Sequence, residues 1–176
     1  MTHAKTIVRD LGEILSLELP PGWEESERQE PAGGRLLRKF HDPDRQEIRF
    51  CSYERTGIEL SRPGSELFER TLYGQFHELS QDEFLSLAEL IEGMSNQSAF
   101  SLSRAFTTYL NDRRLLKVEG DWPRLDESTI CCFLDVGGKA RMCQLIYFTA
   151  PRSYLSTGEG KAVADEIFMS IKWRRT

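Results

Sequence analysis

The sequence predicts an α+β domain built on an antiparallel sheet. Three observations carry that prediction. Strand-like runs fill residues 11–55 and return over 103–149, while the segment between them changes to helical spacing. The strand-like runs are joined by short turn sequences rather than by helices, as antiparallel neighbours are. With 176 residues and 39% hydrophobic content, the chain can bury a core without disulfides. No repeat, low-complexity tract or linker divides it, so residues 1–176 are read as a single domain.

Taken in order, Leu11 to Leu19 reads as a strand with Leu15, Leu17 and Leu19 alternating against Ser16 and Glu18, and Pro20-Pro21-Gly22 stops it. Trp23 to Glu30 is polar enough for an edge strand and runs into a Pro31-Ala32-Gly33-Gly34 turn. Leu36 to Phe40 and Glu47 to Arg55 flank Asp42-Pro43-Asp44-Arg45, a turn composition, and so form a hairpin. The first third is therefore a β-meander.

The period then changes. Over Ser65 to Leu79, Phe68, Leu72, Phe76 and Leu79 fall on one helical stripe. Ser80-Gln81-Asp82-Glu83 fits a capping box, in which the Ser oxygen and the Glu carboxylate satisfy free amides at a helix start. Phe84, Leu87, Ala88 and Ile91 make the buried stripe of that helix, and Gly93 is its stop. Met94 to Phe100 reads as a loop.

Strands return in Ser103 to Leu110 and Arg113 to Trp122, which flank Asn111-Asp112, and in Thr129 to Val136 and Lys139 to Thr149, which flank Gly137-Gly138. Pro151 ends them. Ser156 or Thr157 caps a last helix that reaches Ser170 and buries Val163, Ile167 and Phe168. Ile171-Lys172-Trp173 closes the chain as a short strand.

The sequence excludes more chemistry than it suggests. His3, His41 and His77 are scattered, and neither a His-x-x-x-His nor a CxxC spacing occurs, so no metal or other cofactor is expected. Asp42 and Asp44 resemble a calcium-loop start, but the loop glycine and distal glutamate are missing, leaving turn chemistry. Gly160-Lys161 is no phosphate loop, because Leu155 stands where the first glycine belongs and Ala162 replaces the magnesium-binding hydroxyl. There is no G-x-S-x-G elbow, and Glu24-Glu25 and Asp126-Glu127 read as solvated surface, so an enzyme is not expected.

Cys51, Cys131, Cys132 and Cys143 read as free thiols packed as small hydrophobes, three of them in apolar strand-like stretches. A two-residue turn at Gly137-Gly138 places Cys132 opposite Cys143, the one redox pair the pattern allows. The start, MTHAKTIVRDLGE, lacks the apolar stretch of a secretory signal. The longest apolar runs, ICCFL and LIYF, are too short to cross a bilayer. The expectation is a cytoplasmic protein with no membrane insertion.

Net charge is −5, which argues against nucleic acid as a partner. Its distribution says more. No Lys or Arg lies between Arg70 and Arg104, and that window holds Glu78, Asp82, Glu83, Glu89 and Glu92. Asp82, Glu89 and Glu92 point away from the apolar stripe of their helix, while Asp82 and Glu83 also complement its N-terminal dipole. These five acids are the candidate surface for a basic protein partner.

RRLLKVEGDWP, STICCFLDVGGKARMCQLIYFTAP, a final helix ending in SIKW, and an opening strand ending in LPPGW together resemble the PsbP-like superfamily. That superfamily includes the extrinsic PsbP subunit of photosystem II, a Ran-binding import factor and effector-associated chaperones of type VI secretion. The resemblance covers residues 11–55 and 103–173. It implies an α/β/α sandwich, a sheet of about six antiparallel strands between helices, and a role in binding or assembly with no shared catalytic residue. The missing leader counts against a photosystem lumen role. Ser65 to Phe100, helical and acidic, is not covered.

Two functions follow as expectations. The first is a non-catalytic interaction module, chaperone- or adaptor-like, working through the acidic helical surface. The second is a carrier of a small molecule or lipid in a groove between sheet and helices, motivated by Phe84, Phe100, Phe106, Phe133, Tyr147 and Phe148.

Overall fold

A computed structural model describes residues 4–29, 36–59, 66–94, 99–136 and 142–175. Strands β1 (Thr6–Leu11) and β2 (Ile14–Leu19) form a hairpin, and β10 (Lys172–Trp173) joins β2 to complete a three-stranded sheet. The larger sheet has seven antiparallel strands, β3 (Glu24–Gln29), β4 (Leu36–His41), β5 (Arg49–Glu59), β6 (Ser101–Leu110), β7 (Arg113–Trp122), β8 (Glu127–Asp135) and β9 (Met142–Pro151). Their spatial order is β3-β4-β5-β9-β8-β7-β6. The helical elements are a π-helical turn (Glu69–Tyr73), α1 (Gln81–Met94), α2 (Arg152–Leu155) and α3 (Gly158–Met169).

The fold is α+β, but the expected single sheet of about six strands is corrected to seven strands plus a small sheet. Thr6–Leu11 is a strand the sequence pattern does not suggest. The run read as one strand, Leu11 to Leu19, turns back at Gly12 (φ 59°), so Leu11 belongs to β1 and the rest of the run to the turn and β2. Leu15 is exposed rather than on the buried face. Ile14 and Ser16 pair with the adjacent Trp173 and Lys172, which makes Leu15 the extra residue of a β-bulge and breaks the alternation.

Other expectations hold. Trp23 to Glu30 does supply an edge strand, and its charged side chains and a bulge between Glu25 and Glu27 blunt that edge. Asp42 Oδ1 accepts from the Asp44 amide at 2.9 Å and Oδ2 from Arg45 at 3.2 Å, as turn chemistry requires. Asn111 (φ 46°) and Asp112 (φ 65°) are both left-handed, as a type I′ hairpin needs, and Leu110 faces Arg113 across it. Thr157 caps α3, its Oγ1 accepting from the Gly160 amide at 3.0 Å. The Gly33-Gly34 turn, Gly137-Gly138 and residues 95–98 of the expected loop lie outside the described residues.

The core lies on both faces of the large sheet. On one face Phe50, Ile130, Cys132, Leu134 and Phe148 pack with Leu11, Ile14, Leu17 and Leu19 of the small sheet and Ile167 and Phe168 of α3. On the other, Val118, Cys131, Phe133 and Cys143 pack with Phe68 and Leu72 and with Leu87 and Ile91 of α1. Successive residues of β8 thus alternate between two buried faces, which is why ICCFL is apolar throughout. Each fully buried Phe or Leu contributes about 1.5–3 kcal/mol relative to exposure.

The facing of Cys132 and Cys143 is corrected. Cys132 pairs with Ile146, and Cys143 with Asp135. The β8–β9 connection is therefore longer than two residues, and the two thiols lie on opposite faces of the sheet. No disulfide links them: all four cysteines are thiols, and all are buried.

Candidate functional site

The acidic window begins with a helical segment that is shorter than its periodicity predicts. The π-helical turn ends at Tyr73, and Gly74 is extended (φ −73°, ψ −164°). Phe68 and Leu72 are buried as expected, but Phe76 falls beyond the break and is 44% exposed. Arg114 on β7 holds this end in place. Its guanidinium donates to the carbonyls of Thr71 (3.2 Å) and Gly74, and lies 4.2 Å from the centre of the Phe76 ring. Phe76 meets exposed Tyr109 at 4.8 Å, and exposed Tyr73 donates its hydroxyl to Asp135. This aromatic patch has no sequence signal, because Phe76 continues an apolar stripe that the backbone leaves at Gly74.

Residues 77–79 then run along β6. The Thr107 amide donates to the His77 carbonyl at 3.1 Å, the Leu79 amide to the Ala105 carbonyl at 3.1 Å, and Glu78 bridges Phe106. The outer edge of the large sheet is thereby covered at its centre. Ser80 starts α1 through the expected capping box. Its amide donates to Glu83 Oε2 at 2.9 Å, and its Oγ accepts from the Glu83 amide at 3.4 Å.

The five candidate acids do not form one uniform surface. The two arginines that bound the base-free window fold back onto acids inside it: Arg104 meets Glu78 at 2.9 Å, and Arg70 meets Glu83 at 3.7 Å. Glu83 is turned inward, its side chain only 14% exposed, and it also accepts from His77 Nε2 at 3.1 Å. Burial opposes the charge on Glu83, but donors from Ser80 and His77 outweigh it and hold the carboxyl below its ordinary range. Asp82 and Glu89 are exposed and stand three residues before and four after Leu85, on one helix face. Leu85 is 54% exposed. The side chain of Glu92 lies outside the described residues.

The aromatic residues put forward for a ligand groove do not converge. Phe148 belongs to one core, while Phe100, Phe133, Phe84 and Tyr147 belong to the other. Phe106 carries the Arg104 guanidinium 4.3 Å from its ring centre. A groove between sheet and helices does exist, about 710 Å3 in volume, between β7–β8 and α2–α3. Its walls carry the charged side chains of Lys117, Glu119, Asp121, Arg152, Lys161 and Asp165 beside the apolar Ile130 and Leu155.

The thiols are not poised for nucleophilic work. Burial pushes Cys51 up to about 11 and Cys132 up to about 12, and raises Cys131 well above the usual thiol value. Among the described residues, no three His, Cys, Asp or Glu side chains stand together in a way that could hold a metal ion. Nor is any described helix long and apolar enough to cross a membrane.

No family model matches the sequence, and no curated protein does. Among solved structures, the solution structure of cyanobacterial PsbP (CyanoP) from Synechocystis sp. PCC 6803 superposes with a TM-score of 0.63. The match covers 99% of this chain and 94% of that one, at 10% sequence identity. The chain has a PsbP-like fold. The match spans the acidic segment as well as the strands.

Proposed function

We propose that this chain is a non-catalytic protein-interaction module of the cytoplasm, adaptor- or chaperone-like, that meets a basic partner through the exposed face of α1. We read its PsbP-like architecture as an α/β/α sandwich in which that helix covers one face of the sheet. The observation that carries the reading is the row Asp82, Leu85, Glu89, an apolar side chain flanked by two exposed carboxylates. Carboxylates steer a basic partner and fix its register, while the leucine supplies an apolar anchor of the kind amphipathic helices use. Glu78 and Glu83 contribute little to such a surface because Arg104 and Arg70 already face them. The test is partner capture at low and high salt by the native chain and by the D82K/E89K variant.

A second reading, a small-molecule carrier, is favoured by the groove between β7–β8 and α2–α3. Its charged walls suit a polar solute better than an acyl chain. Native mass spectrometry of the purified chain showing the bare polypeptide mass alone would count against it.

A further inference from the structure

His77 sits where three elements meet. Its backbone is tied to β6, with the amide donating to Thr107 Oγ1 at 3.0 Å and the carbonyl accepting from the Thr107 amide. Its ring is tied elsewhere: Nδ1 lies 2.7 Å from the Gln75 carbonyl oxygen, and Nε2 lies 3.1 Å from Glu83 Oε2. Both of these partners are acceptors. A neutral imidazole carries one N–H and can satisfy only one of them, whereas the imidazolium satisfies both.

We propose that His77 is a proton-operated latch, whose doubly protonated ring pins the capped start of α1 to the segment that covers the edge of the sheet. Loss of the proton sets a ring lone pair against either the Gln75 carbonyl or the Glu83 carboxylate, and one of the two ties is released. The charged groups around the ring divide unequally. Glu83 of α1 faces it directly and favours the charged form, with Arg70 of the preceding helical segment behind that carboxylate. Arg114 of β7 acts against it, and on β6 the neutral Thr107 meets the His77 backbone. Glu78, the next residue in the chain, is taken up by Arg104.

The bond to the Gln75 carbonyl raises the basicity of His77, burial lowers it, and Glu83 raises it again, leaving the group above its usual 6.5. A group raised in the folded state stabilises most below its unfolded value. The latch is therefore closed below about pH 6.5 and opens as pH rises through the higher folded value. The latch acts in the free chain, independently of any partner.

Nuclear magnetic resonance of the intact chain tests it, following the His77 ring and the exchange of the Leu79 and Thr107 amides together. Between about pH 6 and about pH 8.5, after correction for base catalysis, the opening equilibrium of both amides is expected to rise about fivefold. Its midpoint should coincide with that of the His77 ring. H77Q should abolish this pH dependence. E83Q, which can keep the capping box, should move the ring midpoint down. Three results would overturn the latch: a ring midpoint at or below the ordinary histidine value, amide protection that does not change with pH, or wild-type pH dependence persisting in H77Q.

Discussion

The side-chain amide of Gln144 donates to the carbonyl of Leu11, 2.9 Å away and 133 residues earlier in the chain. Its oxygen accepts from the Glu13 amide at 2.8 Å, so one buried side chain on β9 satisfies both ends of the β1–β2 turn. The small sheet is thus fastened to the large one by polar bonds as well as by Leu11, Ile14 and Leu17.

Replacing Gln144 with Leu roughly keeps the volume but takes the partners from the carbonyl of buried Leu11 and the amide of half-buried Glu13. A loss of about 2–4 kcal/mol is expected, read by urea denaturation. Faster hydrogen exchange confined to β1 and β2 should accompany it. An unchanged denaturation midpoint would show that water replaces the lost bonds.

Gly120 on β7 lies beneath the Phe100 ring, which packs in turn against Trp122 at 4.6 Å, the two rings tilted by 51°. A Cβ at position 120 would stand 2.4 Å from Phe100 Cζ and 2.6 Å from the Ser101 carbonyl oxygen. Because one of these neighbours is backbone, the strand cannot yield cheaply. Gly120→Ala should cost about 1–3 kcal/mol by thermal or urea denaturation, although alanine ordinarily suits a strand better than glycine. A neutral result would mean that the β6–β7 pair shifts without penalty.

The cysteines should react only through unfolding. Burial suppresses the thiolate at Cys51, Cys131 and Cys132, and Cys143 is equally enclosed. In native buffer a thiol-specific chromophoric reagent should label them slowly, at a rate that follows the opening equilibrium and not the pH dependence of a free thiol. Rapid labelling of one cysteine in the native chain would identify an opening at its site.

Parts of this fold were legible because local chemistry decides them. Asn111-Asp112 dictates a hairpin whose register follows at once, Ser80 and Glu83 satisfy each other's amides, and ICCFL is apolar because both of its faces are covered. The misreadings arise where local pattern and tertiary pairing part. Leu15 continues an alternation that the bulge against β10 interrupts, and Phe76 continues a helical stripe that ends at Gly74. A two-residue turn would set Cys132 opposite Cys143, and the register rules it out. Of the candidate surface, its place on the helix was legible. That Arg104 reaches Glu78 was not, because the contact depends on residues 77–79 lying along β6.

Partner retention by the α1 face is the measurement that decides most. The native chain, immobilised in native lysate, should retain a basic protein at low salt and release it at high salt. D82K/E89K, whose folding is checked by thermal denaturation, should retain at least tenfold less of it, about 1.4 kcal/mol of lost binding. Equal retention by the variant and the native chain, or no protein retained at either salt, would contradict the proposed role of this surface.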